Sequence, residues 1–166
     1  GARTFEFIDA PGHARHHQCP IDLDHRDVYA GDNFGICYRE FDTAAGPFML
    51  PTTTPVHFEP EVLHRTIDRL LSYRPRRIVQ THFGPVTDLE RLTRDLHADL
   101  DALVVMARRH AAAADRAQRI RYDMFEHFNA RLDAHGYAGS LARRHEFLHE
   151  VVNLNTQGLD VWLSRQ

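Results

Sequence analysis

The sequence predicts an α/β unit over residues 1–86 followed by an all-helical C-terminal extension over residues 87–166. Two observations carry this reading. Before Gly84, short apolar runs of alternating polarity are joined by turn residues, with one amphipathic helix between two of them. After Gly84, apolar residues recur at helical spacing almost to the end.

Residues 4–8 alternate like a half-buried strand. Residues 17–22 and 27–31 are two further short strand candidates, and Asp24-His25-Arg26 between them predicts an antiparallel hairpin. Residues 33–59 form a long irregular segment with Gly35, Gly46, Pro47, Pro51, Thr52-Thr53-Thr54 and Pro55. Its aromatic residues Phe34, Tyr38, Phe41, Phe48 and Phe58, with Met49, predict that it packs against the core. Pro60 opens a helix over residues 61–73 with an apolar stripe of Leu63, Ile67, Leu70 and Leu71. Pro75 ends it, and residues 77–81 make the next strand, so a β-α-β-like unit results.

In the extension, residues 88–110 carry Leu89, Leu92, Leu96, Leu100, Leu103 and Val104, with Thr87 or Asp88 as the cap. Residues 111–134 present Ile120, Met124, Phe128 and Leu132 on one face, and Gly136 supplies the stop. The Ala111 to Ala114 run reads as a helix start or a loose connection. Residues 140–153 form a third helix and residues 159–164 a short fourth.

Composition narrows the function classes. The chain has 166 residues, is 43% hydrophobic and 26% charged, and fits a soluble globular protein. No apolar run approaches the ~18 residues of a membrane span, and no segment reads as a signal peptide. Gly1-Ala2 reads as an internal start or a cloning remnant. The net charge of −3 gives no field that draws nucleic acid. All 20 basic residues are Arg, which excludes a Schiff-base or P-loop lysine. Cys19 and Cys37 make no disulfide framework, and a reducing cytoplasm is the expected compartment. Neither sits in a Cys-His context that would activate a thiol nucleophile. Of the 13 histidines, His64, His97, His110, His127 and His135 sit in charged helical stretches and read as exposed and idle.

Three short pieces each place one potential metal ligand just after a strand-like run: Pro11-Gly12-His13, Ala30-Gly31-Asp32 and Thr81-His82-Phe83-Gly84. Ligands at strand ends are held by a rigid sheet yet remain open to solvent, as a catalytic metal needs. Hydrolysis near neutral pH needs hydroxide, which a bound Zn²⁺ generates by bringing the pKa of its water to roughly 7. A carboxylate can bridge two metals through its two oxygens. Asp32 is the natural bridge, with His13 and His82 facing different ions.

With these motifs, in this order, the chain resembles the second half of a metallo-β-lactamase-fold hydrolase. The resemblance covers about residues 3–86 and implies half of an αββα sandwich. It assigns His13 to one metal, Asp32 to both and His82 to the other, with zinc as the default pair of ions and iron or manganese as substitutes. The family's strongest signature, H-x-H-x-D-H, lies upstream of these motifs and is not in this sequence. That signature supplies the remaining ligands, so the 166 residues alone are expected to be inactive, with an uncovered apolar sheet face. The missing N-terminal half is the expected partner, from the same gene product or from another chain. Departures from the family's hydroxyacylglutathione hydrolases are plain. Ala14-Arg15-His16-His17 stands where those enzymes carry Thr-x-Gly-His, and Thr81-His82-Phe83-Gly84 replaces their late Gly-His. A glutathione thioester is therefore not assumed, and His17 reads as a packing residue or a ligand-orienting partner.

The reaction expected is attack of metal-bound hydroxide on an ester, thioester, lactone or amide carbonyl of a small molecule. Tyr38 and Arg39, in the loop after Asp32, are the candidate substrate-binding residues. The superfamily also includes nucleases and sulfur-oxidising iron enzymes, but the acidic balance disfavours nucleic acid. A rival motif is His145-Glu146-Phe147-Leu148-His149, an H-E-x-x-H match on a predicted helix. It needs a third ligand, and no His follows it. A third class is a non-enzymatic helical interaction module using Arg108-Arg109 and Arg143-Arg144. The helical extension itself is expected to form a dimer face or to roof the active site.

Overall fold

The computed structural model describes residues 2–53 and 57–166. Gly1 of the start, and Thr54 and Pro55 of the irregular segment, lie outside the described residues. Three strands, β1 (Phe5–Asp9), β2 (Gln18–Asp22) and β3 (Asp27–Gly31), form an antiparallel meander. Helix α1 (Pro60–Ser72) then crosses to β4 (Arg77–Gln80), which pairs parallel to β3. A two-residue strand, β5 (Pro85–Val86), closes the sheet antiparallel to β4, in the order β1-β2-β3-β4-β5. Helices α2 (Leu89–His110), α3 (Arg116–Ala134) and α4 (Leu141–Leu163) follow. The expected β-α-β unit is thus present, and β5 is an addition too short to leave a periodic signal.

The sheet has two unlike faces. Cross-strand pairing places Ile8, Cys19, Ile21, Val28, Ala30 and Ile78 on one face, all buried. Leu63, Ile67 and Leu70 of α1 share that core. The opposite face presents Phe5, Phe7, Pro20 and Tyr29, with Phe7 65% exposed. The irregular segment packs as its aromatic residues require: Phe34, Phe41, Phe48, Met49 and Phe58 are fully buried.

Two readings are corrected. The helix expected over residues 111–134 begins only at Arg116, and the Ala111 to Ala114 run is the loose connection of the two alternatives. Residues 140–153 and 159–164 belong to one continuous helix, α4. The stretch Leu154-Asn155-Thr156-Gln157-Gly158 reads as a break by propensity, but tertiary packing overrides it. Thr53 donates its backbone N–H to Asn155 Oδ1 at 2.8 Å and its hydroxyl to Asn155 O, while Asn155 Nδ2 donates to Pro51 O. Gly158 is required here, because a Cβ would fall 1.5 Å from Thr53 O. Helix α4 is therefore docked on residues 51–53, the strip that runs beside the ends of β1 and β3.

A third correction concerns the five histidines read as idle. All are half-buried and bonded. His110 Nε2 meets Asp123 at 2.8 Å, His127 Nε2 meets Asp99 at 2.8 Å, and His135 Nε2 donates to Gly46 O. His64 and His97 pair with each other and with two carboxylates. Neighbours distant in sequence, on other helices for four of them and in the loop at Gly46 for His135, supply the partners. Among the described residues, no helix is long and apolar enough to cross a membrane.

Candidate metal centre

The three motifs converge beyond the ends of β1, β3 and β4. Gly12 has φ +124° and lies so close to α1 that a Cβ would sit 2.4 Å from Leu63 Cα, so only glycine permits this turn. The turn is pinned by Glu59 N–H on Gly12 O at 2.8 Å and by the Thr66 hydroxyl on Pro11 O at 2.6 Å. It delivers His13, whose side chain is 11% exposed. His13 Nδ1 lies 3.3 Å from Thr52 O, which fixes the Nδ1–H tautomer and turns Nε2 toward Asp32.

Asp32 follows β3. The Thr52 hydroxyl donates to its carbonyl at 2.6 Å, and its own N–H points at His17 Nε2, 3.4 Å away. Its two carboxylate oxygens face different imidazoles. Oδ2 is 3.9 Å from His13 Nε2, and Oδ1 is 3.7 Å from His82 Nε2. Both gaps exceed a hydrogen bond and lie slightly above the ~3.4 Å that two ligands of a tetrahedral zinc span.

His82 is more open, with its side chain 54% exposed. The next residue, Phe83, holds φ +64°, a left-handed conformation that costs a non-glycine residue of order 1 kcal/mol. Arg39 sustains it, donating from Nε to Phe83 O and from Nη2 to Pro85 O, both at 2.9 Å. Arg39 is thus a brace for the His82 turn and does not line the cleft beside Asp32.

Tyr38 does line it. Its ring packs on Phe83 at 5.0 Å and on Phe147 at 5.8 Å. Burial, and then the charge of Glu150, raise the Tyr38 phenol above its usual pKa, so the hydroxyl remains a donor at neutral pH. The cleft encloses about 310 Å³ and is closed on its far side by Glu150, Val151, Leu154 and Asn155 of α4. The sequence reading missed these wall residues. Asn155, itself buried, ties that wall to Pro51 and Thr53.

His17 sits beneath the site. Burial, and then the neighbouring His13, lower its pKa, so it is held neutral. Asn33 Nδ2 bonds it at 3.0 Å and Ala10 O at 2.9 Å, tying the ends of β1 and β3 together. The cysteines are inert: burial pushes the Cys19 thiol up to about 11 and the Cys37 thiol up to about 12.

The donor set of two imidazoles and one carboxylate with an oxygen for each fits a borderline divalent ion. It is also incomplete. Among the described residues, no group of three or more His, Cys, Asp or Glu converges closely enough to hold a metal unaided. The same holds for the rival H-E-x-x-H motif. His145, Glu146 and His149 are exposed on α4, Glu146 is paired with Arg143 at 2.7 Å, and no third ligand adjoins them.

No protein-family model and no curated protein sequence matches the chain. Solved structures do. The chain is similar to a metallo-β-lactamase family protein from Thermus thermophilus, with TM-score 0.59 and 16% identity, over 98% of this chain and 44% of that one. It is also similar to an archaeal metallo-β-lactamase superfamily protein from Sulfolobus tokodaii, with TM-score 0.54 and 18% identity, over 96% of this chain and 46% of that one. The chain therefore has the metallo-β-lactamase fold, as an α/β part with a helical extension, and spans less than half the length of these two structures.

Proposed function

We propose that this chain is the C-terminal part of a metal-dependent hydrolase of the metallo-β-lactamase superfamily, and that His13, Asp32 and His82 are its share of the metal site. One observation carries the reading: a single carboxylate lies between two imidazoles at strand ends, with one oxygen toward each. The upstream half, which carries the remaining ligands and covers Phe5, Phe7 and Tyr29, completes a two-metal site. Zinc is the first candidate, with iron or manganese as alternatives. When bound, such ions lower the pKa of a coordinated water to about 7 and polarise a carbonyl.

This chain's residues then have separate tasks. His13, locked by Thr52, and Asp32, seated on His17, are fixed ligands. His82, on the strained turn braced by Arg39, stands at the solvent side. Tyr38 donates a hydrogen bond into the cleft toward a carbonyl or anionic group of the substrate. Ile36, Phe83, Val151 and Leu154 offer the substrate an apolar wall. The substrate class this favours is a small ester, thioester, lactone or amide with an apolar body.

The test is hydrolysis of 4-nitrophenyl acetate by the longest natural polypeptide containing these residues, with zinc supplied. Turnover that falls at least ~100-fold in Asp32→Ala supports the reading. Turnover by the 166 residues alone that is lost in Asp32→Ala contradicts the shared site.

A further inference from the structure

Outside the cleft, one side-chain cluster has a geometry that packing alone leaves unexplained. His64 of α1 and His97 of α2 meet edge to edge, with ring centroids 4.8 Å apart and planes 12° from parallel. Their Nδ1 atoms are 2.5 Å apart. Behind each ring stands a carboxylate from the other helix. His64 Nε2 is 3.2 Å from Asp101 Oδ1, and His97 Nε2 is 3.1 Å from Asp68 Oδ1. The spacing is the same on both helices, His64 with Asp68 and His97 with Asp101, each pair one turn apart on one helix face.

An ionised carboxylate only accepts hydrogen bonds, so each Nε2 carries the hydrogen. A neutral imidazole with Nε2–H presents a bare lone pair at Nδ1. Two such lone pairs pointing at each other repel, and a positive centre between them, a shared proton or a metal ion, turns the repulsion into attraction. A carboxylate behind an imidazole is also the arrangement that orients histidines bound to metals and raises their basicity.

We propose that His64 and His97 form a two-imidazole site for a borderline divalent cation, such as Cu²⁺, Ni²⁺ or Zn²⁺, that staples α1 to α2. Cu²⁺ binds most tightly in the general order of such ions. Two ligands of a tetrahedral ion stand about 3.3 Å apart, so the rings must part by somewhat under 1 Å. Both side chains are half-buried. Solvent completes the shell, because among the described residues no further His, Cys, Asp or Glu joins a group of three. The ion acts near the candidate metal centre without belonging to it. Leu63, beside His64, packs its backbone against Gly12, and Thr66 holds Pro11, so a firmer α1 steadies the turn that carries His13.

The test uses the Asp32→Ala/His82→Ala/His149→Ala variant, which lacks two of the three cleft ligands and one member of the exposed His145–His149 pair. CuCl₂ is titrated while ring ¹H–¹⁵N signals and the melting temperature are followed. The expected result is loss of the His64 and His97 ring signals at the first equivalent, with a rise in Tm. Adding His97→Ala removes the rise in Tm and weakens binding, and Asp68→Asn or Asp101→Asn weakens it about tenfold. Equal Cu²⁺ affinity with and without His97 overturns the proposal. So does a proton that remains between the two rings at saturating Cu²⁺.

Discussion

The two faces of the five-stranded sheet obey different rules. On one, Val28 and Ile78 are completely buried among α1 and the aromatic segment that follows Asp32. On the other, Phe5 and Phe7 are 38% and 65% exposed, with the Tyr29 ring 6.3 Å from that of Phe5. A contiguous apolar sheet face in water is the mark of a missing partner layer. The covered face explains why the chain holds its own core. The bare face is where the proposed upstream half would belong, and the strand ends between the two faces carry the proposed metal ligands.

The largest expected effect sharpens this contrast on the covered side. Ile78→Ala removes a fully buried side chain and lowers stability by about 4 kcal/mol in urea denaturation. If Ile78→Ala and Phe7→Ser cost the same, the two faces are not different. Next in size is Gly158→Ala, which drives a methyl group into Thr53 O and costs about 2 kcal/mol. Because residues 51–53 link α4 to His13 and Asp32, limited proteolysis of that strip accelerates in the same variant.

A smaller effect follows from His17. Its folded pKa lies below the ordinary 6.5, so the folded state binds fewer protons than the unfolded chain. Stability is therefore highest above about pH 6.5 and falls as the pH drops through the folded value. The fall in Tm between pH 7.5 and 5.5 is predicted to be shallower in His17→Gln. An equal fall in both proteins assigns the acid sensitivity to other groups. The smallest effect is on the bare face: Phe7→Ser changes stability of the isolated chain by no more than about 0.5 kcal/mol. It nevertheless reduces self-association, measured by sedimentation, because the exposed patch shrinks.

Much of this was legible in the sequence. Alternation placed β1, the Asp24-His25-Arg26 turn placed β2 and β3, Pro60 and Pro75 bracketed α1, and Gly136 marked the end of α3, because each signal is local. The three strand-end motifs identified residues that the fold brings together, since a ligand after a strand is placed by the strand itself. What stayed hidden was tertiary. Asn155 and Gly158 look like helix breakers until the backbone of residues 51–53 is laid against them. Arg39 reads as a substrate-binding candidate in a loop, but the carbonyls of Phe83 and Pro85 that it holds lie 44 and 46 residues further along the chain. Glu150, Val151 and Leu154 follow the last metal motif by a whole helical extension, and nothing in their own spacing points to the cleft.

The most direct test of the shared metal site is zinc content per chain, measured by mass spectrometry on the longest natural polypeptide containing these residues. The native protein is predicted to hold two zinc ions per chain, and Asp32→Ala fewer than one, because the bridge serves both. Zinc content unchanged by Asp32→Ala would contradict the account.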